Sequence, residues 1–212
     1  MRIHNHRNDE DENDSNTSSD SAFKIYVEVT AREYNVLLSD SISDASDSYY
    51  ELYHLLSKAT SRDVINIHLS NFGGAVHTGL RLAHLIKNCE APTILSVEGS
   101  CYSMGSILAL SGDALRIYPG TFLMFHNYST IESGKAGEVK QAIHEFDNHF
   151  IESLEYFCSP FLTKAEMKRL KADGDVYVRA SDKDIDDRLS RHFPHMTVVS
   201  EEMEIEIEED DE

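Results

Sequence analysis

Strand-like and helix-like segments alternate along most of this chain, which predicts an α/β protein with parallel strand pairing. Three stretches carry that expectation. VINIHLS (64–70) reads as a buried strand, followed by an apolar-periodic helix over 76–88 with Leu82, Leu85 and Ile86 on one face. TILSVE (93–98) repeats the pattern and leads into a second helix from about Met104. Between 136 and 158, Val139, Ile143, Phe146, Phe150, Leu154 and Phe157 recur at steps of three and four, the signature of one long amphipathic helix.

The remaining elements fall in order around these. FKIYVEV, beginning at Phe23, alternates as a strand, and YNVLL (34–38) is a second. Ser-Asp-rich residues 39–48 lead into a helix over YYELYHLLSKA. NFGG (71–74) makes a turn between strand and helix. ALRIY (114–118) is a strand, Pro119-Gly120 a turn, and TFLMFH (121–126) a strand again. Thr163-Lys164-Ala165-Glu166 fits a capping box, VYVR (176–179) is a short strand, and an acidic helix near 182–190 closes the fold. No internal repeat is visible.

At 212 residues the chain is long enough for one sizeable domain, and its 41% hydrophobic content is ordinary. Its net charge of −19 is unevenly placed: residues 1–20 carry −4 and residues 201–212 carry −9, which leaves −6 for everything between. The expected organisation is therefore an acidic tail over 1–21, a folded domain over 22–195 and a second acidic tail over 196–212. Acidic ends argue against nucleic acid as a partner, because phosphate binding needs clustered Lys and Arg. No run of about eighteen apolar residues suggests a membrane span, and the acidic N-terminus lacks the apolar core of a secretory signal. Three cysteines without CxxC spacing indicate neither a disulfide framework nor a zinc site, so the cytoplasm is the expected compartment.

Chemistry concentrates at VEGSCYSMGSILALSG (97–112), where a strand meets a helix through small residues with Ser103 near the middle. Close packing explains such a corner, and so does a hydroxyl held out for a substrate. A serine becomes a nucleophile when a base takes its proton and N–H donors await the oxyanion. The amide of Met104, in the first helical turn, is one such donor. Gly73 and Gly74 offer another, since paired glycines present bare N–H groups; a plain tight turn is the competing reading. His126 ends an apolar strand, where an imidazole can serve a neighbouring corner, although eleven histidines dilute the signal. Asp173 and Asp175 precede the VYVR strand, and either can orient an imidazole or simply solvate a turn. Cys101 is a rival nucleophile better explained as a small buried filler. The pairs His77/His84 and His144/His149 lack the spacing of a one-face metal site.

Together these segments resemble the Clp protease proteolytic subunit family (ClpP), which are serine peptidases. NFGGAVHTG resembles the family's S-P-G-G-x-x-x-x-G segment, SCYSMGSILALSG its A-A-S-M-G-(A/S) corner and helix, TFLMFHNYS the strand ending in M-I-H-Q-P, and GDVYVRA the R-D-R-F-L-S-A segment. The gaps fit as well: 29 residues from Gly74 to Ser103, 23 on to His126 and 49 on to Asp175. The resemblance runs from about residue 23 to 190. It implies a ClpP/crotonase-type α/β fold of repeated β-α units with a protruding handle helix at 136–158. It makes Ser103 the nucleophile, His126 the base, Asp175 rather than Asp173 the acid, and the amides of Gly74 and Met104 the oxyanion hole. It also implies two stacked heptameric rings of the chain itself, polypeptide substrates, an AAA+ unfoldase as ATP-driven partner, and no metal or organic cofactor.

Departures from the family pattern are specific. Phe72 replaces its proline, Cys101 and Tyr102 its two alanines, Asn127 and Tyr128 its Gln-Pro, and Arg188 the glycine of E-Y-G-L-V. The N-terminal segment matches nothing in the family, so the unfoldase partnership is the implication with least support. Three rival readings follow: a relative that works without an ATPase, of prohead or signal-peptide-peptidase type; a crotonase-fold enzyme acting on acyl-CoA; and a non-catalytic ring subunit.

Overall fold

Hydrophobic alternation in the strand after Asp63 sets the architecture. In β2 (Val64–Gly74), Ile65, Ile67 and Leu69 point inward and are buried, while Asn66 and His68 between them remain partly exposed. The computed structural model describes residues 31–195; the strand expected at FKIYVEV and both acidic ends lie outside the described residues. β2 pairs in parallel with β1 (Glu33–Ile42) on one side and with β3 (Thr93–Val97) on the other. Helix α1 (Tyr50–Lys58) connects the first pair, and α2 (Val76–Lys87) the second, burying Leu82, Ala83 and Ile86.

A second, three-stranded sheet follows from the next part of the chain. Its strands are β4 (Cys101–Tyr102), β6 (Phe122–Phe125) and β7 (Val176–Arg179), in the order β4-β6-β7. Helix α3 (Met104–Ala109) leaves β4, and β5 (Ala114–Ile117) returns to pair in parallel with β3 as the last strand of the first sheet. β4 and β6 are parallel, β6 and β7 antiparallel. Strand pairing is thus parallel throughout the four-stranded sheet, as expected, and mixed in the smaller one.

Two expectations need correcting. NFGG is not a free turn: β2 runs to Gly74, with Asn71 paired to Asp40 and Gly74 to Ile42 across an irregularity in β1. The register shifts there, β2 advancing three residues against two of β1 beside Asp40 at φ 64°, and the pairing resumes at Ile42, well beyond the YNVLL segment. VINIHLS is also not buried on both faces. Its outward side carries a polar ladder, in which Asn66 Nδ2 donates to Glu33 Oε1 at 2.6 Å and His68 bridges Glu98 Oε1 (2.5 Å) and Asn35 Oδ1 (3.2 Å).

Helix α4 (Ala136–Cys158) has the expected bounds but two different halves. Phe150, Leu154 and Phe157 bury its second half against the core, whereas no residue from 136 to 149 is buried. Helix α5 (Lys164–Lys171) begins with the expected capping box, Glu166 Oε2 accepting the Thr163 N–H at 2.8 Å and Thr163 Oγ1 accepting the Glu166 N–H at 3.3 Å. The same carboxylate receives both terminal nitrogens of Arg188 at 2.9 Å from α6 (Ile185–His192), and Arg188 Nε donates to Asp184 at 2.8 Å. Arg188 is only 6% exposed, so it ties α6 to the start of α5 where the family pattern has glycine. No helix among the described residues is long and apolar enough to cross a membrane.

Candidate active site

In the small sheet, Ser103, His126 and Asp175 lie at the same end of the strands β4, β6 and β7. Ser103 follows β4 directly and adopts φ 56°, ψ −123°, a left-handed region that side-chain-bearing residues avoid unless the surroundings enforce it. What enforces it is visible. The Ser103 N–H donates to Met124 O at 2.7 Å, and the buried Ser106 hydroxyl lies 2.9 Å from Cys101 O and 2.8 Å from Met124 O while accepting the Met124 N–H at 3.1 Å. Ser106 thus staples α3 to both β4 and β6, and the chain between them must turn sharply at Ser103.

Register locates the other two. β4 and β6 pair Tyr102 with Met124, so one step further Ser103 stands beside Phe125, the residue before His126. The β6–β7 ladder ends at Phe125 opposite Val176, and one step beyond it His126 falls opposite Asp175. Ser103 and His126 are half-buried and Asp175 is exposed. Among the described residues no hydrogen bond joins Ser103 to His126 or His126 to Asp175. Asp173 is engaged elsewhere: its Oδ1 accepts from Asn127 Nδ2 at 2.8 Å.

Strand β2 ends against this corner. A Cβ on Gly73 would lie 2.7 Å from Ser103 Cβ, 2.7 Å from Tyr102 O and 3.1 Å from Met104 N, and Gly73 itself sits at φ +81°. Both facts admit only glycine. The Gly73 N–H is already taken by Asn71 Oδ1 at 2.9 Å, while Gly74 packs against the backbone of Ile42. Gly105 and Gly99 answer the packing half of the question, since a Cβ on them would meet Asn71 O at 2.6 Å and Ser70 Oγ at 2.3 Å. The small residues of the corner serve both purposes: they admit β2, and β2 in turn braces Ser103.

Asn71 is the residue the sequence reasoning missed. It is fully buried, and its Nδ2 has no hydrogen-bond partner among the described residues. The available signal was its position two residues before Gly73, the spacing of an Asx turn. A second omission is an aromatic strip on the outer face of the small sheet. Phe72 packs on Tyr102 (5.8 Å between centroids), Tyr102 on Phe122 (5.2 Å) and Phe122 on Tyr177 (6.1 Å), so two of the family departures touch each other beside Ser103. Cys101 is ruled out as a ready nucleophile: burial pushes its thiol up to about 11, and a thiol rather than a thiolate is present near neutral pH. No group of three or more His, Cys, Asp or Glu among the described residues is arranged to hold a metal ion. Past His126, a cleft of about 530 Å³ opens between the Asn127–Thr130 segment and the first half of α4, lined by Tyr128, Lys140, His144, Asp147 and Asp173 among others.

A strained strand-to-helix corner of this kind can hold a serine hydroxyl out beside free backbone amides, which is what a serine-type peptidase requires. A profile of the Clp protease family matches residues 17–182. The chain belongs to the Clp protease family. A similar protein is the ATP-dependent Clp protease proteolytic subunit 1 of Salinibacter ruber (strain DSM 13855 / M31), 26% identical over 163 residues that cover 75% of this chain and 68% of that protein.

Proposed function

We propose that this chain is an endopeptidase that cleaves unfolded polypeptides, with Ser103 as nucleophile, His126 as general base and Asp175 as the group that orients the imidazole. What supports this reading is strand register, which puts the three residues at the same end of β4, β6 and β7, together with Ser103 at φ 56°. Ser103 Oγ attacks the scissile carbonyl as His126 takes its proton. The Met104 and Gly74 amides receive the oxyanion. His126 then protonates the leaving amine, and water hydrolyses the acyl-enzyme by the same proton route in reverse. The Ser103–His126 and His126–Asp175 hydrogen bonds close when substrate or a neighbouring subunit packs the edge, since such bonds often tighten only in the reacting complex.

An extended peptide pairing with a strand beside Ser103 gains main-chain hydrogen bonds, which makes sequence preference loose. The chain assembles into two stacked heptameric rings; what supports self-association is the first half of α4, where Val139 and Ile143 are not buried within the chain. An AAA+ unfoldase is the natural feeder of such a chamber, a reading supported by the ATP-dependent name of the similar Salinibacter protein. The free thiols of Cys89, Cys101 and Cys158 fit the reducing cytoplasm. The test is hydrolysis of a fluorogenic peptide and of an unfolded protein by the full chain and by Ser103→Ala. Loss of at least about 10³-fold in kcat supports the reading. Retained turnover contradicts it and favours acyl-CoA-type chemistry on the same fold.

A further inference from the structure

We propose that Asn127 and Asp173 form a positioning pair that keeps His126 and Asp175 facing each other, a role that rests on the peptidase reading above. The β6–β7 ladder ends at Phe125 and Val176, so His126 and Asp175 lie past the last backbone pair that fixes the two strands. Directly beyond them the strands are joined again, by Asn127 Nδ2 donating to Asp173 Oδ1 at 2.8 Å. The candidate base and acid are therefore bracketed, with the ladder on one side and this side-chain bond on the other.

Each half of the pair is itself anchored. Asn127 Oδ1 accepts the Tyr128 N–H at 2.9 Å, which fixes the amide so that its Nδ2 faces Asp173. The Tyr128 ring packs edge-on against Phe146 (4.6 Å) and Phe150 (5.3 Å) of α4. Asp173 sits at φ 58°, a conformation Asp and Asn tolerate better than other side-chain-bearing residues. Its N–H donates to Leu170 O at 3.0 Å, and the Gly174 N–H to Arg169 O at 2.9 Å, so the C-terminus of α5 holds it in place. The pair thus carries the positions of α4 and α5 to the two residues between them. Being partly solvent-exposed, the bond contributes little to global stability. Its effect belongs in turnover.

The experiment uses the full assembled chain and compares Asn127→Ala, Asp173→Ala, Asp173→Asn, Asn127→Asp and the exchanged double variant Asn127→Asp/Asp173→Asn. Each is measured for kcat and KM on a fluorogenic peptide and for thermal midpoint. The two alanine variants are expected to lose about 10- to 100-fold in kcat, with KM within about twofold, because a displacement of about 1 Å at a catalytic group costs on that order. Asp173→Asn, which keeps the acceptor oxygen and the left-handed preference, recovers most of what Asp173→Ala loses. Asn127→Asp sets two carboxylates together and loses turnover, and the exchanged pair restores it to within about threefold. Alanine variants with wild-type kcat, an Asp173→Asn as inactive as Asp173→Ala, or an exchanged pair no better than Asn127→Asp each overturn the inference. Ser103→Ala run alongside separates the two readings. Turnover that survives it removes the peptidase mechanism itself, whereas a dead Ser103→Ala beside fully active pair variants removes the positioning role alone.

Discussion

Gly73→Ala is the perturbation whose cost can be worked most closely from the fold. Gly73 stands at φ +81°, and a methyl there arrives 2.7 Å from Ser103 Cβ and from Tyr102 O. Holding alanine in the left-handed region costs about 1–2 kcal/mol, and an overlap of this depth with backbone adds about 1–3 kcal/mol. Gly120 supplies the matched control, with φ +82° and nothing within 4 Å of the added Cβ. Gly120→Ala therefore carries the backbone cost alone, and the difference between the two variants isolates the contact. Urea unfolding should place Gly73→Ala about 1–3 kcal/mol below Gly120→Ala. Relief of the contact pushes Ser103, and a shift of about 1 Å lowers kcat on the order of 100-fold. Gly120→Ala keeps wild-type turnover. Equal stability losses in the two variants, with Gly73→Ala fully active, refute the claim that β2 braces the nucleophile corner.

Three further predictions concern the supports of the site. Burial alone disfavours charge on Glu166, but the hydrogen bonds from Arg188 and Thr163 overcome it and hold its carboxyl at about 2, against an ordinary 4.5. Its stabilisation is therefore complete above pH 4.5 and lost as the pH falls toward 2. Glu166→Gln should cost about 1–3 kcal/mol at pH 7, after discounting for partial exposure, and clearly less at pH 3; an equal cost at both pH values contradicts the assignment. Asn71→Ala leaves the Gly73 amide buried without its acceptor, with an expected loss of about 1–3 kcal/mol in urea unfolding and slower acylation of Ser103; unchanged stability and acylation contradict it. Ile143, 39% exposed on the first half of α4, should weaken self-association when changed to aspartate. Sedimentation velocity reads this as a shift to smaller species, and an unchanged distribution argues against α4 as the assembly element.

Legibility from sequence followed the range of the interactions involved. Helix α4 and strand β7 have the bounds the sequence pattern gives, because a sustained apolar stripe and a short β-branched run are local signals. The capping box at Thr163 is local too. Strand β4 was not legible, since two residues carry no period; it exists only because Cys101 and Tyr102 pair with Leu123 and Met124. The buried role of Arg188 depends on Glu166, 22 residues earlier, and nothing in α6 alone announces that partner. At the proposed site, Ser103, His126 and Asp175 were chosen from motif order and spacing. Their supports could not: Asn71 looked like part of a turn, and Asn127 and Tyr128 stood out only as departures from a pattern. Which of Asp173 and Asp175 faces His126 is a matter of strand register, and register is not written in either segment by itself.

The central claim is that Ser103 is an activated hydroxyl and not merely a strained corner residue. Labelling the assembled protein with a fluorophosphonate probe and mapping the adduct by mass spectrometry tests it most directly. The account predicts a single phosphonylated residue, Ser103, with labelling abolished in Ser103→Ala. Wild-type protein that stays unlabelled in every assembly state, or an adduct that persists in Ser103→Ala, contradicts it.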